Sequence, residues 1–168
     1  MTETVKEIII HSFGFVGIVL LCFGFANKSV KGALKFKLLA DIAWGIHYAL
    51  LGAFGGTVLN VLGVIRESVF LVSKKSRKEL LLVFVLVNFA AAYFRWEGIH
   101  SIIPAVLSAL ATYSFWQDNI VVTRTIGFIN NILMFTYAAI VGSIMNMAAE
   151  VIVATSIIVT YIVKRNKQ

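Results

Sequence analysis

The stretch HSFGFVGIVLLCFGFANKSVKGALKFK, residues 11–37, holds a charge-free apolar run followed at once by Lys28, Lys31, Lys35 and Lys37. A hydrocarbon core roughly 30 Å thick takes about 20 helical residues to cross, which is the length of the run ending at Ala26. The same alternation of apolar run and short gap continues along the chain. It predicts seven transmembrane helices, at 6–26, 36–54, 57–73, 79–95, 99–116, 125–141 and 144–163. In 168 residues this leaves almost nothing for a soluble domain. A content of 60% apolar residues and a mean hydropathy of +0.90 agree, because a soluble fold could not hide that much apolar surface. The expected class is an all-α integral membrane protein.

Basic residues fall in alternate gaps. Lys28, Lys31, Lys35 and Lys37 follow the first span, Lys74, Lys75, Arg77 and Lys78 the third, Arg124 the fifth, and Lys164, Arg165 and Lys167 the seventh. Only Lys6 and Arg95 lie on the opposite side, and Arg66 alone falls within a span away from its ends. Cytoplasmic loops retain Lys and Arg during insertion, so the N-terminus is expected outside and the C-terminus in the cytoplasm. The net charge of +7 then reads as a topology signal with affinity for anionic headgroups. The expected partner is the lipid bilayer and not a nucleic acid. The flank Thr2–Glu7 is not basic and no small-x-small cleavage site follows the first run, so that run is expected to stay as a span. Cys22 is the single cysteine, which rules out an intramolecular disulfide and leaves it a packing role.

Seven spans accommodate two parallel three-helix units when one extra helix restores orientation between them. This divides the chain into a first unit at 1–78, a linker helix at 79–98 and a second unit at 99–168. Sliding the sequence by 89 residues pairs His11-Ser12 with His100-Ser101, Lys35 with Arg124, Asp41 with Asn130, and Tyr48-Ala49 with Tyr137-Ala138. Each unit also repeats the order of basic loop, span, neutral glycine turn and span. Gly52, Gly55 and Gly56 mark the first such turn and Val141-Gly142-Ser143 the second.

This 3+1+3 order resembles the SWEET sugar transporters and their half-sized SemiSWEET relatives. Trp44-Gly45-Ile46-His47-Tyr48, with Asn60 sixteen residues after the tryptophan, is similar to the Trp and Asn that line the sugar pocket in that family. The chain departs from the pattern in lacking a Pro-Gln dipeptide and in having Pro104 as its one proline. Leu133 stands where the shift places a counterpart of Trp44. Asn146 matches Asn60 if the turn is three residues shorter; otherwise Ala149 or Glu150 takes that place. Nearly the whole chain, including Lys35-Phe36-Lys37, His47-Tyr48-Ala49-Leu50-Leu51-Gly52 and Asn60-Val61-Leu62-Gly63-Val64-Ile65-Arg66, also resembles the YgjV-type bacterial inner-membrane proteins. That resemblance implies a multi-pass protein of the bacterial cytoplasmic membrane.

A charged side chain near the bilayer centre costs about 2.5–3.5 kcal/mol even on the lenient insertion scale, so ionisable residues within spans mark candidate sites. They are Asp41, Arg66, Glu67 and Glu150, with His47 beside them. About a turn near residue 54, Asp41 lies level with Arg66 and Glu67, which predicts an Asp41–Arg66 pair. Its plainer reading is an ion pair that fixes how two helices meet. Tyr48 lies opposite Asn60, with Trp44 one turn deeper, and the three form one wall of an expected cavity or, more simply, helix packing and interhelical glue. In the second unit Asn130 and Asn131 fall level with Thr155 and Ser156, and Thr136 and Asn146 extend the polar set. Glu150 is either a proton carrier facing the cavity or a counter-ion to Arg66. His47 titrates near neutral pH in water, or serves as a neutral core histidine. His11, His100, Trp96 and Trp116 are expected near the interfaces.

Enzyme chemistry finds little support: there is no nucleophile elbow, phosphate loop or zinc helix motif, and neither metal nor cofactor is expected. The preferred expectation is a facilitator moving a small polar solute, a sugar among the candidates, between the two units. Trp44, Tyr48, Asn60 and Asn146 would contact it, and Asp41, His47, Arg66 and Glu150 would set polarity or couple a proton. A proton-coupled transporter of an amino-acid-like solute is one alternative. A non-transporting binding or scaffold protein is the other. Oligomeric state stays open.

Overall fold

Two polar side chains set where helices begin, and both lie further upstream than hydropathy suggests. Ser29 Oγ accepts from the Gly32 N–H at 3.1 Å, starting α2 (Val30–Leu50) at Val30 rather than at 36. Asn119 Oδ1 accepts from the N–H groups of Val121 at 2.9 Å and Val122 at 3.4 Å, starting α6 (Ile120–Val141) at Ile120 rather than at 125. Lys31, Lys35, Lys37 and Arg124 are therefore helical and not loop residues. Lys and Arg are good helix formers whose apolar stems tolerate half-burial, which is why charge alone misplaced these boundaries.

The computed structural model describes residues 3–73, 78–94, 102–141 and 144–165. The orientation charges Lys74, Lys75, Arg77, Arg95 and Lys167, the residues Thr2, Trp96, His100 and Ser101, and the turn residues Gly142 and Ser143 lie outside them. The remaining described helices are α1 (Glu3–Ala26), α3 (Phe54–Val72), α4 (Lys78–Phe94), α5 (Ile102–Trp116) and α7 (Ile144–Arg165). Pro104 sits in the first turn of α5, where its missing N–H removes no helical bond. Between α2 and α3 the Gly52 N–H bonds to the Ala49 carbonyl and the Ala53 N–H to the Tyr48 carbonyl, with Gly52 at φ +74°. That closing motif needs a left-handed residue, which glycine supplies without strain. Gly55 and Gly56 belong to α3 instead of the turn.

Burial runs opposite to that of a water-soluble fold. Asp41, His47, Arg66 and Glu67 are buried while Phe15, Leu82, Leu86 and Ile140 each expose about three-fifths of their surface or more. Large apolar side chains presented outward over most of the length, around buried charges, are what lipid solvation stabilises and water does not. Among the described residues, Glu3–Ala26, Ile120–Ile140 and Asn146–Val163 are long and apolar enough to cross a membrane. Ile102–Trp116 is a shorter apolar helix. α2 mixes its apolar residues with Lys31, Lys35, Lys37 and Asp41.

The helices pack in a closed order. α1 meets α2, α2 meets α3, α3 meets α5, α5 meets α6, α6 meets α7, and α7 returns to α1; α4 lies against α5 and α3. One end of this ring gathers the start of α2, the end of α3, the end of α5 and the start of α6, where Val30, Leu34 and Phe115 form a cluster joined by Phe70, Leu71, Ala111 and Ile120. At the same end Arg124 of α6 donates to the last carbonyls of α1, reaching Phe25 O at 3.0 Å and also Asn27 O. A cation at a helix C-terminus satisfies orphan carbonyls and opposes the helix dipole. The C-terminal ends of α1, α3 and α5 therefore converge.

Candidate functional site

The buried charges form one chain of contacts across α2, α3 and α5. Lys37 and Asp41 are one turn apart on α2 and pair directly, with the Lys37 ammonium on Asp41 Oδ1. On α3, Arg66 donates through Nη2 and Nε to Glu67 Oε1 at 2.6 and 3.2 Å. Its third nitrogen, Nη1, reaches α5 and donates to Ser108 Oγ at 2.9 Å, to the Ser108 carbonyl at 3.3 Å and to Thr112 Oγ1 at 3.3 Å. A guanidinium offers five donors in a fixed fork, and this one spends them on two helices. Gly63 makes the approach of α2 to α3 possible, since a Cβ there would fall on Asp41 Oδ2.

This corrects the expected Asp41–Arg66 pair. The two residues feel one another's charge, but Asp41 takes Lys37 as its direct partner and Arg66 takes Glu67. Consecutive helix residues point about 100° apart, so spacing gives no hint of an Arg66–Glu67 bridge. Lys37, Ser108 and Thr112 were also missed. Lys37 had been counted as a loop charge, and a hydroxyl within an apolar span is more often bonded to its own helix; Thr112 does also donate to the Ser108 carbonyl, at 2.7 Å.

Tyr48 stands at the other end of α2's inner face, stacked on Trp44 with centroids 5.7 Å apart. Its ring lies over Gly56 of α3, where a Cβ would come within 2.7 Å. Its hydroxyl interacts with the Asn146 side chain of α7, close to Glu150 and to Tyr137 of α6. Trp44 and His47 turn toward α1. His47 Nδ1–H donates to the Ile10 carbonyl at 2.7 Å, and the two side chains fill the space left by Gly14 and Gly17. Asn60 donates to its own helix at Gly56 O, 2.8 Å, with its Cβ against Gly45 of α2. Of the four residues expected to contact solute, the structure thus brings Tyr48 and Asn146 together, whereas Trp44 lies at the α1–α2 contact and Asn60 at the α2–α3 contact.

In the second half Asn130 Nδ2 donates to the Leu107 carbonyl of α5 at 3.1 Å, and its Oδ1 is buried without a hydrogen-bond partner. The adjacent Asn131 has its Nδ2 in the same condition. Thr136 and Thr155 bond back to Ile132 and Val151 and are exposed, so neither joins an inner polar set. Glu150 is half-buried on α7 and feels the charge of Lys37 on α2. Trp116 is half-buried against Tyr113, its indole Nε1 without an acceptor.

Outward apolar surface, inward charge and a closed helix order describe a membrane-embedded chain. The model of a bacterial inner membrane protein family, Imp-YgjV, matches residues 8–168. No curated protein and no solved structure matches the chain. With all but the first few residues covered, the chain belongs to the YgjV-type family of bacterial inner membrane proteins.

Proposed function

We propose that this protein is a facilitator of a small polar solute, with the route running between α1–α3 and α5–α7 in a SWEET-like 3+1+3 bundle, the N-terminus outside and the C-terminus in the cytoplasm. The contact order around the ring supports that division, because the α3–α5 seam and the α7–α1 seam exchange places when the first unit is laid on the second. The observation that carries the reading is the meeting of Tyr48 from the first unit with Asn146, close to Glu150 and Tyr137, from the second. These groups offer hydroxyl, amide and carboxyl chemistry at a seam, where binding sites in repeat transporters form. Elsewhere on α6, Asn130 Oδ1 and Asn131 Nδ2 are a buried acceptor and donor without a hydrogen-bond partner. A hydroxylated solute, a sugar among them, matches such a set better than a charged one, since Lys37, Asp41, Arg66 and Glu67 are bonded to one another.

A scaffold without transport is the second reading. His47, Asn60 and Asn88 favour it, each spending a polar group on a backbone carbonyl as interhelical or intrahelical glue. Ligand-dependent stability separates the two. A solute that binds only the folded protein at a hundred times its Kd adds about 2.7 kcal/mol, which a thermal scan in mild detergent reads directly. Across a panel of sugars, amino acids and small metabolites we expect at least one stabilising solute, with the shift lost in Asn146→Ala and kept in Thr155→Ala. A panel with no hit on the folded protein favours the scaffold.

A further inference from the structure

We infer that Asp41 and Glu67 share one proton, held between Asp41 Oδ2 and Glu67 Oε2 across the α2–α3 contact at Gly63. Glu67 is fully buried, and its Oε1 is taken by the Arg66 guanidinium, while Oε2 has no donor. Asp41 is also buried, with Oδ1 on the Lys37 ammonium. The two remaining oxygens converge over the Cα hydrogens of Gly63: a Cβ there would strike Asp41 Oδ2 and would stand 3.4 Å from Glu67 Oε2. Two ionised carboxylates can only accept, so this approach leaves two lone pairs facing each other in a low-dielectric site. One proton on either oxygen turns the same geometry into an O–H···O bond, the arrangement that paired carboxyls adopt elsewhere.

The surrounding charges agree. Lys37 and Asp41 come from α2, Arg66 and Glu67 from α3, Ser108 and Thr112 from α5, and Glu150 of α7 feels the charge of Lys37. Each cation is held by the other oxygen of its own carboxyl, Lys37 on Asp41 Oδ1 and Arg66 on Glu67 Oε1, so neither stands between Oδ2 and Oε2. A metal cation in place of the proton is disfavoured by Lys37 and Arg66 on either side and by the two-oxygen donor set, against the six or more that a hard cation prefers. The assignment stands whether or not a solute crosses the protein, because it concerns only the resting charge of the bundle.

Infrared spectra of the purified protein in lipid vesicles test it through the carbonyl stretch of a protonated carboxyl, recorded from neutral to alkaline pH. Difference spectra between the parent and each variant separate the pair from the other six carboxyl side chains of the chain. One such band is expected at neutral pH, and Asp41→Asn and Glu67→Gln should each abolish it. Either change removes one carboxyl and leaves the other fully served by its own cation. Glu150→Gln should leave the band in place. A spectrum without the band, a band lost only in Glu150→Gln, or a band that sodium removes at constant pH each overturns the assignment. Should Glu67→Gln fail to fold, Asp41→Asn alone decides the matter.

Discussion

Replacing Arg66 by alanine is expected to destabilise the protein by about 3–5 kcal/mol, the range for removing one partner of a buried ion pair. Arg66 is only 4% exposed and carries the hydrogen bonds from α3 to Glu67 on its own helix and to Ser108 and Thr112 on α5. Its loss strands the Glu67 carboxyl in the interior and removes the polar tie between α3 and α5. Arg66→Lys should recover little, because an ammonium cannot fork between two helices. Thermal or denaturant unfolding in detergent reads both effects. The double change Arg66→Met with Glu67→Leu should lie well above Arg66→Ala, since removing both charges also removes the desolvation that makes the single change expensive. If Arg66→Ala unfolds like the parent, the pair is not buried as described.

The second large effect is expected at the α1–α2 contact. A Cβ on Gly17 would come within 2.6 Å of Trp44 Nε1 and 2.7 Å of its Cδ1, with no space for the indole to retreat between His47 and Tyr48. Gly17→Ala should therefore destabilise by about 1–3 kcal/mol through overpacking, against alanine's helical advantage of up to about 1 kcal/mol. Trp44→Leu, the residue that the 89-residue shift places at Leu133, should relieve the crowding. In a double-mutant cycle we expect the pair to be more stable than the sum of the single changes by about 0.5–3 kcal/mol. Strict additivity would mean that Trp44 does not rest on Gly17.

Much of the helix order was legible because hydropathy reports burial in lipid directly, and the boundaries of α1, α3, α4 and α7 fall within a few residues of those read from the chain. α2 and α6 began earlier because Ser29 and Asn119 cap them, a local hydrogen-bond signal that outweighs the lysines and arginine just inside. The site was legible as a set of depths and not as a set of contacts. Counting from the turn put Asp41 level with Arg66 and Glu67, and the structure brings those three together with partners that depth could not choose. Tyr48 of α2 and Asn146 of α7 meet across helices far apart in the chain, which no single-helix periodicity encodes. Trp44 and His47 share α2 with Tyr48, yet the small residues of α1 draw them the other way: Gly14 and Gly17 leave a groove only large rings fill. Such a choice depends on the neighbouring helix, and reading α2 alone cannot make it.

In the proposed function the polar groups that meet between α2, α6 and α7 serve a solute and not only the packing of helices. Uptake into sealed vesicles carrying the purified protein tests it most directly, with small neutral hydroxylated solutes, sugars first, as probes. Saturable uptake above protein-free vesicles is expected, with Asn146→Ala and Tyr48→Phe each reducing it by at least tenfold and Thr155→Ala leaving it unchanged. Folded, correctly inserted protein that passes none of the probes, or passes them equally well without Tyr48 and Asn146, would contradict it.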